Sequence, residues 1–262
     1  MIYITGDTHS DFSRFSTRSF PEQRGMGRGD FLVICGDFGG IWMDSPEERY
    51  WLDWLNKKPF TTLFVCGNHE NFDRLNSLPV VDFHGGKAHK VRSHIFHLMR
   101  GYVFEFDGKS FFAFGGASSH DIKDGILEPS DYPSIQGCIK DYERRTLFGQ
   151  DIRINHLSWW KEELPSQEEM NRGRESLRKC GNRVDFVVSH CLPQSVVEEL
   201  GFEGDILTRY FQSLIDDGLE FGEWHSGHYH LDRQMDGGFH IHYGEIERLR
   251  DLEPEIDVER IL

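Results

Sequence analysis

Long hydrophobic runs are absent from this sequence of 262 residues. The longest uninterrupted apolar stretches, such as residues 31–35, contain only a few residues, whereas a membrane-spanning helix needs about 18 or more. The first residues also lack the basic segment and the following apolar segment that mark a secretory signal. These absences argue against a membrane protein and lead us to expect a cytoplasmic one.

Positive charge and cysteine are also scarce. The chain has 29 Lys and Arg against 44 Asp and Glu, a formal net charge of −15. Proteins that bind long nucleic acids need basic surfaces to neutralise phosphates, so we expect no obligatory partner of that kind. Five cysteines, an odd number without a repeating spacing, indicate reduced thiols rather than a disulfide framework.

Apolar runs rich in β-branched and aromatic residues do occur, and they predict buried strands. Residues 1–5, 31–35 and 61–66 are each apolar almost throughout, which is typical of strands that are buried on both faces. Residues 45–58 show helical spacing and begin with Ser-Pro-Glu-Glu, a helix-start signature. Alternating strands and helices indicate an α/β fold, which we expect to form one domain over residues 1–262.

The middle of the chain is predicted to be richer in strands. Residues 95–99, 102–106 and 110–114 fit short strands, and an Asp-Gly pair predicts a hairpin between the last two. Residues 118–165 are polar and irregular, and we interpret them as a long inserted excursion, because their apolar density is too low for a separate domain. The remaining predicted elements are helices that begin at Ser166 and cover residues 195–200 and 207–215, and strands at 184–189, 221–226 and 239–243.

Five of the apolar runs are followed, beside a glycine or serine, by side chains that can bind a metal ion. These side chains are Asp7, His9, Asp37, Asn68, His190, His228 and His230. Sites in open α/β sheets form at the carboxyl ends of strands, and Asp-x-His or His-x-His puts both side chains on one side of an extended backbone. Seven ligands are too many for one ion but suit two ions that share a carboxylate.

The chemistry of this ligand set points to a hydrolase. Mixed imidazole and carboxylate ligands favour Mn, Fe, Zn or Ni over Ca, and two such ions about 3.5–4 Å apart can activate water and hold a phosphoryl group. A non-phosphate dinuclear hydrolase of the metallo-β-lactamase type would need His-x-His-x-Asp-His in one stretch, which the sequence lacks. We therefore expect a metal-dependent hydrolase of phosphate esters.

In order and separation, the five blocks from Gly6 to His230 resemble those of the calcineurin-like metallophosphoesterases. The resemblance implies a four-layer αββα sandwich of two mixed sheets, and two divalent transition-metal ions, for which we favour Mn, with a bridging hydroxide that attacks phosphorus. It implies that Asp7, His9 and His230 hold the first ion, that Asn68, His190 and His228 hold the second, and that Asp37 bridges them. It also implies that His69 is the catalytic residue that protonates the leaving oxygen or stabilises charge on the phosphoryl group.

The sequence departs from the family's pattern at one informative position. Many members carry a second Asp three residues after the bridging one, where it orients the catalytic His. Here Gly40 stands at that position. Asp44, a residue from elsewhere or packing alone could orient His69 instead.

Other reactive side chains near the blocks have structural as well as functional interpretations. Glu70 is expected to anchor a neighbouring loop or to cap a helix. Arg100 and His120 each follow a predicted strand and could reach a substrate phosphate, or could lie on the surface. Buried structural roles are favoured for Cys35, Cys66, Cys191, His225, His240 and His242.

The motifs leave the substrate open between a phosphodiester and a phosphomonoester. Aromatic residues such as Trp42 favour a small, nucleotide-like phosphorylated substrate, while the oligomeric state stays open. The excursion at residues 118–165 is predicted either to form a wall of the substrate pocket or to be a surface or dimer contact. A non-catalytic interaction module on the same fold is the alternative, but such a module would be expected to have lost ligands.

Overall fold

We describe residues 1–249 from a computed structural model, and residues 250–262 of the predicted domain lie outside the described residues. The strands are β1 (Ile2–Thr5), β2 (Phe31–Ile34), β3 (Thr61–Phe64), β4 (Val80–Phe83), β5 (Gly86–Arg92), β6 (Ile95–Leu98), β7 (Tyr102–Phe106), β8 (Lys109–Phe114), β9 (Gly125–Leu127), β10 (Ile152–Ile154), β11 (Arg183–Ser189), β12 (Glu220–Ser226), β13 (Arg233–Met235), β14 (Phe239–Ile241) and β15 (Glu247–Arg248). The helices are α1 (Pro46–Asn56), α2 (Phe72–Asn76), α3 (Ile135–Leu147), α4 (Gln167–Lys179), α5 (Gln194–Glu199) and α6 (Ile206–Asp216). None of the helices found in residues 1–249 has the combined length and apolar character needed to cross a membrane.

Two mixed sheets form the centre of the fold. The first has the strand order β15-β1-β2-β3-β6-β5-β4, and the second has the order β13-β14-β12-β11-β8-β7. Strands β1, β2, β3 and β6 run parallel to one another, as do β8, β11, β12 and β14, whereas the outer strands pair antiparallel. Because parallel strands end at the same edge of a sheet, each sheet brings several strand carboxyl ends together.

Alternate side chains of the central strands pack in two different apolar layers. In β2, Phe31 and Val33 belong to the cluster between the two sheets, whereas Leu32 and Ile34 pack with α1 and α2 on the outside. Helices α4, α5 and α6 cover the outer face of the second sheet. This arrangement explains the unbroken apolar runs, and it confirms the predicted α/β fold, a four-layer αββα sandwich of two mixed sheets.

The local signals in the sequence are confirmed at the element boundaries. Ser45 caps α1 by accepting a hydrogen bond from the backbone of the first turn, and Ser166 and Glu169 form the capping box of α4. Asp107 and Gly108 both have positive φ angles, of 51° and 73°, as the tight hairpin between β7 and β8 requires.

The segment at residues 118–165 is more ordered than the sequence predicts. It contains α3 and the parallel pair β9 and β10. These elements share a small apolar cluster of Leu127, Cys138, Ile152 and Ile154. Helix α3 was missed although Cys138, Ile139 and Tyr142, which recur at helical spacing, pack in this cluster. Strands β4 and β5 were also missed, and the exposed side of β4 explains why.

Candidate active site

The loops after β1, β2, β3, β11 and β12 meet at one edge, where the two sheets adjoin. The first three strands belong to one sheet and the last two to the other. These loops carry all seven predicted ligands, and the contacts described below link the seven into one cluster. The spacing of the sequence blocks therefore corresponds to a real convergence of side chains in space.

One end of the cluster contains Asp7, His9 and His230. Nε2 of His9 lies 3.2 Å from Nε2 of His230 and 3.7 Å from Oδ2 of Asp7. Nε2 of His230 lies 3.1 Å from the same Asp7 oxygen. Asp7 is fully buried, yet its Oδ2 accepts no hydrogen bond within residues 1–249. A buried carboxylate oxygen without a hydrogen-bond donor needs another source of positive charge.

The other end contains Asn68, His190 and His228. Nε2 of His190 lies 3.2 Å from Oδ1 of Asn68, and its Nδ1 lies 2.7 Å from the Cys35 carbonyl oxygen. The rings of His190 and His228 meet edge to face, with centroids 4.9 Å apart. The Cys35 carbonyl is the kind of acceptor that fixes the tautomer of a ligating histidine.

Asp37 lies between these two ends. Its Oδ2 is 3.8 Å from Nε2 of His9, and its Oδ1 is 3.4 Å from Nε2 of His190. Asp37 is 1% exposed, so its charge acts on these side chains rather than on solvent. One carboxylate thus faces both groups of candidate ligands.

Four of the candidate ligands have an uncommon backbone conformation. The φ angles are 42° for His9, 47° for Asp37, 71° for His228 and 52° for His230. Residues other than glycine rarely adopt this left-handed region, and such strain concentrates at functional sites. The loops therefore hold these side chains in place at a cost in backbone energy.

Two glycines allow the carboxylates to approach the neighbouring loops. A Cβ atom at Gly67 would lie 2.0 Å from Oδ1 of Asp37, and one at Gly227 would lie 2.2 Å from Oδ1 of Asp7. Because glycine has no side chain, the carboxylates come close enough to accept backbone hydrogen bonds. Asp37 accepts from the N–H of His69 (2.8 Å), and Asp7 accepts from the N–H of His228 (3.0 Å). Glycine is needed here for close approach rather than for a turn.

The electrostatics of the cluster favour a cation. Burial alone would raise the pKa of Asp37, but His190, His69 and His9 lower it well below its usual range. Burial alone would lower the pKa of His190, but the charges of Asp37 and Asp7 raise it to about 9. The buried carboxylates thus favour positive charge beside them, which a divalent ion would supply.

The residues present fit a metal centre. The ligand atoms of Asp7, His9 and His230 all lie within 4.8 Å of one another, as do those of Asp7, Asp37 and His190. The unpaired oxygen of Asp7 and the mixed nitrogen and oxygen donors suit a divalent transition metal.

His69 lies beside the cluster and outside both of these groups. Its ring meets that of His9 edge to face, with centroids 5.4 Å apart. Asp44 does not orient it, because the Asp44 carboxylate pairs with Arg49 at 3.0 Å. Asp121, a residue of the excursion, pairs with Arg153, and its Oδ1 is buried and has no hydrogen-bond partner among the described residues.

Glu70 anchors a loop, which confirms one of its two predicted roles. It is 1% exposed, and its carboxylate accepts hydrogen bonds from the N–H groups of Phe38 (2.8 Å) and Gly39 (3.4 Å). Burial, with the nearby charge of Asp37, raises the pKa of Glu70 to about 8. The other role, a helix cap, is wrong, because Asn71 caps α2.

Both interpretations of Arg100 as a substrate contact or a surface residue are wrong. Arg100 is 5% exposed, and its guanidinium donates to the carbonyl oxygens of Gly115 (2.8 Å), Glu162 (2.8 Å) and Glu163 (3.0 Å). It therefore ties the end of β8 to the far end of the excursion. Nothing near Arg100 in the sequence indicates these backbone partners, or the Glu169 carboxylate, which lies 3.5 Å from the guanidinium.

Ser119 and Glu163 are neighbours of the site that the sequence analysis missed. Ser119 Oγ accepts a hydrogen bond from Nδ2 of Asn68 (3.4 Å) and donates one to Glu163 (2.6 Å). Burial raises the pKa of Glu163 to about 7. The one clue in the sequence to Ser119 is its position beside His120, which follows a predicted strand.

Six other side chains near the blocks are buried, which agrees with the structural roles predicted for them. The buried ones are Cys35, Cys66, Cys191, His225, His240 and His242. All five cysteines are free thiols. Trp160 is also buried, and its ring packs edge to face on that of Trp42, with centroids 5.3 Å apart. Trp160, a residue of the excursion, therefore packs in the core.

Comparison with known proteins identifies the class. A family model of calcineurin-like phosphoesterases matches residues 1–230. The chain belongs to this family, which confirms the predicted class, a phosphoester hydrolase. It is also similar to the lariat debranching enzymes of Homo sapiens and Mus musculus, with 28% identity over 149 residues, or 51% of this chain. The match covers 26% of each relative, so this chain corresponds to about a quarter of their length.

Proposed function

We propose that this protein hydrolyses phosphate esters with two divalent transition-metal ions, of which Mn is favoured and Fe, Zn or Ni would also suit the donors. The observation that carries the proposal is the position of Asp37 between two groups of candidate ligands. The proposed ligands are Asp7, His9 and His230 for the first ion, Asn68, His190 and His228 for the second, and Asp37 for both.

The roles of the protein's own groups follow from their positions. When bound, the two ions supply positive charge for the phosphoryl oxygens and make an attacking water more acidic. His69 lies at the edge of the cluster, where its imidazole can donate a proton to the leaving oxygen. Asn68 can donate its amide hydrogens to a phosphoryl oxygen, and Ser119 restrains that amide.

The substrate we favour is a small phosphorylated molecule of nucleotide-like size, either a diester or a monoester. Excess acidic charge, −15 overall, supports a small substrate over a long nucleic acid. The similarity to lariat debranching enzymes makes a lariat the second candidate. A screen of the metal-loaded protein on phosphomonoesters, phosphodiesters, cyclic nucleotides, RNA and a lariat separates these candidates. Cytoplasmic location stays a prediction.

The purified protein is expected to bind close to two divalent ions per chain, because seven ligands with one shared carboxylate exceed the needs of a single ion. Elemental mass spectrometry after gentle purification, or after reconstitution with Mn, measures the ratio. Saturation at one ion, with no second binding event on titration, would rule out the dinuclear model. A chain that binds two ions but hydrolyses none of the tested esters would favour the interaction-module alternative.

Shortening the excursion is expected to change substrate preference while leaving the ions bound. Asp124 and Asp151 are neighbours, since their backbones hydrogen-bond at 2.9 Å and the Asp124 carboxylate accepts from the Asp151 N–H at 2.8 Å. A Gly-Ser joint can therefore replace residues 125–150. If this segment walls the pocket, the preference for the best substrate over a generic aryl phosphodiester should fall by about 10-fold or more.

The control for this experiment addresses the dimer-contact alternative. Leu147 and Phe148 are about four-fifths exposed, at 83% and 80%, and replacing both with Ser removes the apolar surface but keeps the segment. An unchanged substrate profile in the shortened, metal-loaded protein would show that this segment does not form a wall of the substrate pocket. A lower sedimentation coefficient for the Ser variant than for the unchanged protein would assign the segment to self-association.

A further inference from the structure

The cluster contains two matched pairs of histidines, one at each end. Nε2 of His9 lies 3.2 Å from Nε2 of His230, and Nε2 of His120 lies 3.0 Å from Nε2 of His228. The first pair is proposed above as two ligands of one ion. The second pair has a similar nitrogen separation, although its ring planes are 28° apart rather than 82°, and it includes His120, which no part of the ligand assignment uses.

His120 is held in this position by its own loop. The N–H of Ser118 donates to Asp205 (3.1 Å), and the N–H and Oγ of Ser119 donate to Glu163 (2.9 and 2.6 Å). The His120 ring stacks on that of His228, with centroids 4.9 Å apart and planes 28° apart. Anchored backbone on its amino-terminal side and a ring stack fix the direction of the imidazole, as metal ligands require.

The distance between the two nitrogens suits a shared ion. Two ligand nitrogens that bind an ion at right angles, with bonds of about 2.1 Å, are about 3.0 Å apart. A hydrogen bond between two neutral imidazoles gives a similar separation. The parallel with His9 and His230, together with the position of His228 in the cluster, favours the ion.

We propose that His120 is an additional ligand of the second metal ion, supplied by the excursion at residues 118–165. This inference rests on the proposed function, because it presupposes that His228 binds that ion. The segment would then contribute directly to the metal centre, beyond any part in shaping the substrate pocket. The chemical class of ligand for His120 is a divalent transition metal such as Mn or Zn.

The test compares metal binding in the full chain and in two variants. His120→Ala removes the imidazole, and His120→Phe keeps an aromatic ring against His228 while removing both nitrogens. His94→Ala is the matched control, because His94 precedes β6 and so lies at the opposite edge of the sheet. Each protein is stripped with a chelator and titrated with Mn²⁺ and with Zn²⁺ by isothermal calorimetry.

In both His120 variants, we expect the first ion to bind as in the unchanged protein and the affinity for the second to fall by more than the roughly 10–100-fold that loss of a ligand's hydrogen-bond partner costs. A loss within or below that range would make His120 a hydrogen-bond partner of His228 and would overturn the inference. His94→Ala should bind both ions normally. If the unchanged protein binds two ions and folded His120→Phe binds both with unchanged affinity, the inference about His120 is wrong. If the unchanged protein itself fails to bind a second ion, the proposed dinuclear function fails instead, which separates the two results.

Discussion

Replacing Asp37 with Ala is expected to remove measurable hydrolysis, a loss of more than about 10⁴-fold, and to deplete both ions. The reason is that its carboxylate faces both groups of ligands, at 3.8 Å from His9 and 3.4 Å from His190. Without it, the two ends of the cluster share no anionic ligand, and the positive charge of two ions is less well balanced. Elemental analysis and an assay of the reconstituted variant measure the two effects together.

Asp236→Ala serves as the control for this result, because Asp236 is exposed and lies outside the site. It should retain two ions and full activity. A folded Asp37→Ala protein that still holds two ions per chain would show that Asp37 does not bridge them. Thermal unfolding of the stripped proteins distinguishes loss of ions from loss of the fold.

Replacing His69 with Ala is expected to lower kcat/KM by about 10²–10⁴-fold for substrates with poor leaving groups, which is the usual value of general acid catalysis. The loss should shrink for p-nitrophenyl esters, because p-nitrophenolate leaves without much help from a proton donor. Both ions should remain bound, since His69 is not among the proposed ligands. Assays on aryl esters with a series of leaving-group pKa values measure this dependence.

His69→Gln keeps a polar side chain of similar length and controls for the loss of volume. It should show the same steep dependence on the leaving group as His69→Ala. A uniform loss across all substrates would indicate that His69 positions the substrate rather than donating a proton. Loss of metal from either variant would place His69 among the ligands instead.

The central strands and the convergence of the blocks were predictable because both depend on local sequence. A strand that is buried on both faces, such as Phe31–Ile34, has an apolar run that can be recognised without knowing its neighbours. Asp7, Asp37 and Asn68 each follow one of three parallel strands, so all three are expected at the same edge of the sheet. The arrangement of the sheets needed the family resemblance, because periodicity does not specify which strands pair.

The missed features depend on contacts between residues far apart in the chain. Arg100 seemed available for substrate because nothing near it in sequence shows that two of its partners are carbonyl oxygens more than 60 positions away. His120 lies in a segment whose composition looked irregular, yet the folding of that segment brings it to within 3.0 Å of His228. A substitution such as Gly40 for the expected Asp can be noticed in the sequence, but what compensates for it depends on tertiary structure.

The division of the candidate ligands between two sheets links metal supply to the folding equilibrium. Asp7 and Asp37 follow strands of one sheet, and His190 and His228 follow strands of the other. An ion that binds only when the sheets are docked stabilises the folded state by mass action, by about 2.7 kcal/mol at a free concentration of 100 times its dissociation constant. The melting temperature of this protein would therefore rise with free metal, and a chelator would weaken the association of the two sheets as well as emptying the site.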